Sequence, residues 1–220
     1  VMRCSGSSMA TGTVTCTKMT GVVNNVRIDR VAGTLKSGAQ GPLWAIPSSG
    51  NSDDIYYNAG SGNAWTRSGP HGCHDTGSTP CANSSTDWRD IAALSPTNVW
   101  IVGTNGWIMR YDGSKWGRIN GAWTNQSSYT ITSVYGSAKE GLITLAAYAT
   151  TSTTNRQVRI FNYNITLNKW FGPVGIQDGA SWNSTADQII DMDGDDYNEL
   201  WMVGVRRSSN KYRGWVVQVK

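Results

Sequence analysis

The residues with the clearest capacity for chemistry lie near the C-terminal end, in the run IIDMDGDDYNELWMVG. Asp191, Asp193 and Asp195 alternate along the chain, so a looped backbone can direct their carboxylates inward together. The Tyr197 carbonyl and the Glu199 carboxylate complete a set of hard oxygen donors, which is the ligand type that suits Ca²⁺. The sequence therefore predicts a structural calcium site that fixes the turn between two strands.

The predicted calcium segment departs from the EF-hand pattern. That pattern needs Gly at its sixth position and Glu at its twelfth, where this chain has Asp196 and Met202. The alternating acids are similar to the calcium loops of integrin-type (FG-GAP-like) propeller repeats, with Asp196 in place of their usual Gly. The alternative is an exposed acidic hairpin without metal, in which nearby cations offset the carboxylates. Those cations are Arg206, Arg207 and Lys211.

The four cysteines fall in two close pairs, Cys4 with Cys16 and Cys73 with Cys81. This spacing favours two local disulfides, although four cysteines permit three connectivities. Disulfides persist in oxidising compartments, which indicates a secreted or cell-surface protein. Four Asn-X-Ser/Thr glycosylation sequons agree with that location. They are Asn83, Asn125, Asn164 and Asn183.

An alternative interpretation of the second cysteine pair is a metal site, although the spacing matches no common zinc pattern. Its members would be His71, Cys73, His74 and Cys81.

Charge and hydropathy narrow the range of partners. The formal net charge of +4 comes from scattered cations, so no basic stripe indicates a nucleic-acid partner. No apolar run approaches the ~18 residues of a membrane span, and we expect no membrane insertion. The chain begins at Val1 without a signal peptide, which indicates either a processed protein or a fragment.

Internal repeats are the strongest signal of architecture. Each repeat has an apolar strand, a turn, a strand with aromatic residues and then a polar strand that ends near a tryptophan. Hairpin turns are predicted at Asn105-Gly106 and Asp112-Gly113, because both pairs favour positive φ. The repeats span about 26–67, 90–119, 129–173 and 186–220.

Such repeats predict an all-β domain, namely a β-propeller-like array of about four antiparallel blades, with a β-sandwich as the alternative. Residues 1–25 lie outside the repeats and are expected to form a disulfide hairpin or a closing strand. Either TGTVTCT or GVVNNV could complete the last blade, which lacks an evident fourth strand. Alternatively, the chain is part of a larger ring.

Six tryptophans recur at fixed places in the repeats. Trp44, Trp100 and Trp201 share one place in the second strand, where we expect packing between blades. The apolar second strand is predicted to lie deepest, near the central axis. Three further tryptophans close the first three repeats, and they are Trp65, Trp116 and Trp170.

The first two repeats resemble tectonin-type repeats of lectin-like β-propellers. The segments LWAIPSSGNSDDIYYNAGSGNAWTR and NVWIVGTNGWIMRYDGSKWGRI carry this resemblance. Proteins of this type often bind glycans, which is what the resemblance implies here. Exposed aromatic rings would stack on sugars, and burial within a blade is the alternative for each. The ligand-binding candidates are Trp107, Trp123, Tyr56, Tyr57 and Tyr111.

No motif marks a catalytic centre, so the sequence predicts a non-catalytic secreted or cell-surface binding module, glycan-binding or adhesive. Its expected partners are glycans or cell-surface glycoproteins. A first alternative is a structural subunit of an extracellular filament or surface layer, in which GVVNNV and GWVVQV pair with neighbouring copies. A second alternative is a glycoside hydrolase on a propeller scaffold, which would need a carboxylate pair in one cleft.

Overall fold

The computed structural model confirms an all-β protein, a four-bladed β-propeller rather than a β-sandwich. Within the ranges that it describes, no helix is long and apolar enough to cross a membrane. Those ranges are 2–5, 15–18, 20, 27–36, 39–47, 55–69, 86–120, 126–149, 158–174, 188–194, 199–208 and 211–219.

The strands form one hairpin and four antiparallel sheets, the blades. The hairpin strands are β1 (Met2–Ser5) and β2 (Thr15–Lys18). Blade 1 contains β3 (Ile28–Lys36), β4 (Ala39–Pro47), β5 (Ile55–Asn58) and β6 (Thr66–Gly69). Blade 2 contains β7 (Trp88–Ser95), β8 (Asn98–Gly103), β9 (Ile108–Tyr111) and β10 (Trp116–Arg118). Blade 3 contains β11 (Tyr129–Ser137), β12 (Leu142–Ala149), β13 (Val158–Asn164) and β14 (Lys169–Val174). Blade 4 contains β15 (Gln188–Gly194), β16 (Leu200–Ser208) and β17 (Lys211–Val219).

The first strand of each blade, rather than the second, lies nearest the axis. Strand β7 packs against β3 and β11, and β11 packs against β15. The prediction that the second strand lies nearest the axis is therefore wrong. The second strand is apolar because it lies inside its sheet and both of its faces are covered, which requires near-continuous apolar residues.

All four first strands carry a β-bulge at an equivalent position. In each blade, the pairing register between the first and second strands shifts near the start of the first strand. A bulge bends the strand and redirects the side chain that follows it. The residues that follow the four bulges are Arg30, Asp90, Ser133 and Asp191.

Tryptophan packing between blades is confirmed at two of the three equivalent positions. Trp44 and Trp100 are 0% exposed. The Trp44 ring centroid lies 6.3 Å from that of Tyr111 in the next blade. The Trp100 ring centroid lies 5.3 Å from that of Tyr163, again in the next blade. These large rings join successive sheets into one core.

The N-terminal strands form a hairpin of their own. Strand β2 pairs with β1, so within the described ranges TCTK does not complete blade 4 as TGTVTCT was predicted to do. The other proposed closing segment, GVVNNV, lies outside the described residues. Cys4 lies directly opposite Cys16, and opposed antiparallel residues have Cα separations of roughly 4.5–5.5 Å, which a disulfide can bridge. That disulfide stays a prediction.

Candidate functional site

Side chains alternate between the two faces of the sheet along each strand of blade 4, and this alternation places an acid and a tryptophan side by side. Met192 and Leu200 are buried against blade 3. Asp193, next to Met192, and Trp201, next to Leu200, therefore point away from blade 3. The two are cross-strand partners, and directly opposed residues share one face of a sheet. The exposed face of blade 4 thus carries a carboxylate beside an indole ring.

These residues line an open pocket of about 360 Å³ together with Gly194 and Glu199. The Tyr135 hydroxyl of blade 3 donates a hydrogen bond to the Gly194 carbonyl at 3.0 Å. The Gly194 amide in turn donates to Asp193 Oδ1 at 2.9 Å. A Cβ at Gly194 would lie 2.6 Å from the Glu199 carbonyl oxygen, so only glycine fits there. The floor of the pocket is therefore held in place by blade 3.

Trp201 differs from its equivalents because its ring is exposed. Pairing with the first strand places it where Trp44 and Trp100 lie in blades 1 and 2. Its exposed fraction is nevertheless 47%, and Val203 and Val216 beside it are also exposed. The prediction that Trp201 packs between blades is therefore wrong. A tryptophan at this position is buried only when the next blade covers it. Blade 2 covers Trp44, and blade 3 covers Trp100.

The predicted calcium ligands are described only in part. Asp191 and Asp193 lie on the same face of β15, and Asp191 Oδ1 accepts a hydrogen bond from the Met192 amide at 2.9 Å. Asp195 and Tyr197 lie outside the described residues. Among the described residues, no three acids, histidines or cysteines come together as a metal site. The loop does connect two strands, as predicted, and calcium binding stays a prediction.

The ligand-binding candidates in blades 1 and 2 are mostly packed. Tyr56 and Trp107 are buried, and the Arg118 guanidinium lies 4.0 Å from the Trp107 ring centroid. Neither ring can therefore offer its face to a sugar at the surface. Tyr57 and Tyr111 are half-buried, and partial burial raises the pKa of Tyr111. Among the repeat-closing tryptophans, two are buried and the third is half-buried. These are, in that order, Trp65, Trp116 and Trp170.

Most of the remaining predicted sites fall outside the described residues. The exception is Asn164, which is half-buried at the end of β13 and accepts a hydrogen bond from the Leu167 amide at 2.8 Å. The others include one ligand candidate, one cysteine pair with its neighbouring histidines, and three sequons. They are Trp123, Cys73, Cys81, His71, His74, Asn83, Asn125 and Asn183.

A buried carboxylate at the axis was not predicted from the sequence. Asp90 is 5% exposed, and its Oδ2 atom accepts hydrogen bonds from the Ser133 hydroxyl at 2.7 Å and the Val134 amide at 2.8 Å. Arg30 Nε lies 3.5 Å from Asp90 Oδ1, and Arg30 also donates to the Ile190 carbonyl at 3.4 Å. We call these five residues the axial clasp, because they join all four blades.

Burial raises the pKa of Asp90 to about 6, from a usual value of 3.8, even though its hydrogen bonds to blade 3 and to its own following amide act in the opposite direction. The negative charge of Asp191 raises this pKa further. The Ile91 amide donates to Oδ1 at 2.9 Å, so both carboxylate oxygens already accept hydrogen bonds within the protein. Asp90 and Asp191 therefore do not form the open carboxylate pair that glycoside hydrolysis requires.

Comparison with known proteins identifies the fold. Neither a family model nor a curated protein sequence matches this chain. The extracellular domain of a one-component system from B. thetaiotaomicron is similar, with a TM-score of 0.53 and 11% identity; the match covers 85% of this chain and 22% of that one. An exo-β-1,3-galactanase from Phanerochaete chrysosporium gives a TM-score of 0.51 at 12% identity, covering 100% of this chain and 53% of the galactanase.

A third similar structure is YCF48 from Cyanidioschyzon merolae, with a TM-score of 0.50 and 13% identity over 92% of this chain and 62% of YCF48. This chain therefore spans between 22% and 62% of the length of these structures. At such identities the similarity concerns the fold, and the resemblances to tectonin and integrin-type repeats stay predictions. The chain is a four-bladed β-propeller.

Proposed function

We propose that this propeller is an extracellular, non-catalytic binding module that holds a glycan in the blade 4 pocket. One observation carries the proposal: Trp201 is 47% exposed in an open pocket that it shares with two carboxylates. Trp201, Val203 and Val216 together form a contiguous exposed apolar patch. Such patches, when polar groups border them, mark interaction sites on folded proteins. The apolar C–H face of a sugar can stack on the indole, while Asp193 and Glu199 accept hydrogen bonds from its hydroxyls.

Three further observations support this function. The first two repeats resemble those of glycan-binding tectonin-type propellers. The galactanase with a similar fold was crystallised with β-1,3-galactotriose, which makes that trisaccharide a rational first probe. The fold is also shared with an extracellular domain, which is consistent with the cysteine spacing and the sequons.

Replacing Trp201 with Ala is expected to weaken glycan binding at least tenfold, equivalent to about 1.4 kcal/mol, because the stacking platform is removed. The measurement is a glycan-array screen that includes β-1,3-galactotriose, followed by titration calorimetry of any ligand found. The matched control is Phe171→Ala, which removes another exposed ring, 44% exposed, from blade 3. Binding that survives Trp201→Ala, or an array without any ligand, would contradict the proposal.

Calcium is expected to stabilise the protein by binding the turn between β15 and β16. At a free concentration 100-fold above the dissociation constant, one site adds about 2.7 kcal/mol to the free energy of unfolding. Thermal unfolding in EDTA, in calcium and in magnesium measures this effect. We expect a higher Tm in calcium only, and the increase should disappear in Asp193→Asn. Equal Tm values in calcium and EDTA would show that this acidic turn holds no ion.

A further inference from the structure

Blade 4 differs from the other blades at its outer edge. Blades 1, 2 and 3 each end in a fourth strand of four, three and six residues. In the described part of the chain, blade 4 ends at its third strand, β17, which has nine residues and pairs with β16. A long outer strand presents a row of backbone N–H and C=O groups that another strand can pair with.

The sequence of β17, KYRGWVVQV, lacks the features that usually protect an edge. It contains no proline, and its two charged residues, Lys211 and Arg213, are confined to its first half. Val216 in its second half is 62% exposed. Edge strands that avoid association are usually short, carry charges along their length, or contain proline. Strand β14 of blade 3, for comparison, is shorter and contains Pro173.

The charges on β17 favour one arrangement with a second copy of the same strand. In an antiparallel pair centred on Trp215, Lys211 of each copy lies opposite Val219 of the other. Arg213 of each copy likewise lies opposite Val217. A parallel in-register pair would instead place each cation directly opposite its own counterpart, which is destabilising. Antiparallel pairing about a two-fold axis also gives a closed dimer rather than an open fibre.

We propose that two copies of this chain form a symmetric dimer through antiparallel pairing of their β17 strands. Each β17 then serves as the fourth strand of the other copy's blade 4, giving a continuous six-stranded sheet across the two-fold axis. The backbone supplies the attraction, the separation of the cations favours the antiparallel direction, and pairing along all nine residues of β17 centres the register on Trp215. This proposal does not depend on glycan binding.

Analytical ultracentrifugation over a range of concentrations tests the dimer. We expect a reversible monomer–dimer equilibrium for the unmodified chain. A chain that stays monomeric throughout would overturn the proposal, as would occupation of the β17 edge by the chain's own GVVNNV segment.

A charge exchange at position 216 tests the register. In the proposed dimer, the two copies of Val216 are diagonal neighbours on one face, because each lies opposite Gly214 of the other copy. Val216→Lys and Val216→Glu should therefore each weaken self-association about fivefold through like-charge repulsion. A mixture of the two variants should recover dimers, and this recovery also shows that both variants are folded. If both variants dimerise as the unmodified chain does, the proposed pairing is wrong.

The matched control uses Gln218, which is also exposed on β17. The two copies of Gln218 are six residues apart along the proposed pair, which corresponds to about 20 Å. Gln218→Lys and Gln218→Glu should therefore leave self-association within about twofold of the unmodified chain, because the separation exceeds a Debye length. In a parallel in-register dimer the two copies of Gln218 would face each other. If Gln218→Lys and Gln218→Glu each weaken self-association, and a mixture of the two variants restores it, the antiparallel register is wrong.

Discussion

Trp100→Ala is expected to lower the free energy of unfolding by about 3–5 kcal/mol. Trp100 is fully buried between blades 2 and 3, with its ring against Tyr163. Its indole N–H donates to Asn98 Oδ1 at 2.9 Å, an atom that also accepts a hydrogen bond from Arg110. Truncation removes the ring from an interface and leaves a cavity that rigid sheets cannot close. Urea unfolding followed by circular dichroism measures the loss.

Trp201→Ala is the control for this prediction, because it deletes the same side chain at the equivalent position of blade 4. Its exposed ring should contribute little to folding, and we expect a change of less than about 1 kcal/mol. The same variant is expected to lose glycan binding, so stability and binding are separated at one position. Comparable destabilisation by Trp201→Ala and Trp100→Ala would show that Trp201 is covered in solution.

Asp90→Asn is expected to change how stability depends on pH. The pKa of Asp90 is raised to about 6 in the folded protein, against about 3.8 when unfolded. A raised pKa means that the folded state holds the proton more tightly. The resulting stabilisation is complete below pH 3.8 and is lost as the pH rises through 6. The whole contribution amounts to about 3 kcal/mol.

The measurement is the free energy of unfolding of both proteins between pH 3.5 and 7.5 (a range of about four units around the two pKa values). The unmodified chain should lose stability relative to Asp90→Asn as the pH rises, with a midpoint between the two pKa values. Subtracting the two profiles cancels the titration of other carboxylates. Asp191→Asn is a second comparison, because Asp191 follows the equivalent bulge but is exposed, and its charge raises the pKa of Asp90. This variant should keep the loss of stability with rising pH and move it to lower pH. If the free energies of unfolding of the unmodified chain and of Asp90→Asn change in parallel with pH, the pKa of Asp90 is not raised in the folded protein.

The sequence predicts the strands and the repeat well because those depend on local residue types. Asn105 and Gly106 illustrate this, since they adopt the predicted positive φ values of 55° and 66°. A Cβ at Gly106 would lie 2.1 Å from the Gln126 carbonyl oxygen, so glycine is needed for conformation and for space. A turn of this kind can be predicted from two adjacent residues alone.

The blade 4 pocket could not be predicted, because it depends on what covers a residue rather than on the residue itself. Trp44, Trp100 and Trp201 have the same place in their repeats, yet only Trp201 is exposed. The axial clasp was also missed for a physical reason. Arg30 and Asp90 occupy equivalent places only once the bulges are known, and a bulge leaves no residue pattern as distinct as a turn does.

The shared bulge has a consequence for how the propeller can change. Because the first strand of every blade carries the bulge at an equivalent position, the residue that follows the bulge occupies an equivalent place in all four blades. These four positions now hold a cation, two acids and a hydroxyl group. Replacing the residue at one of these positions would alter the charge near the axis, while the backbone hydrogen bonds between the strands stay intact. The centre of the molecule can therefore diversify one blade at a time, while the aromatic contacts between blades stay as they are.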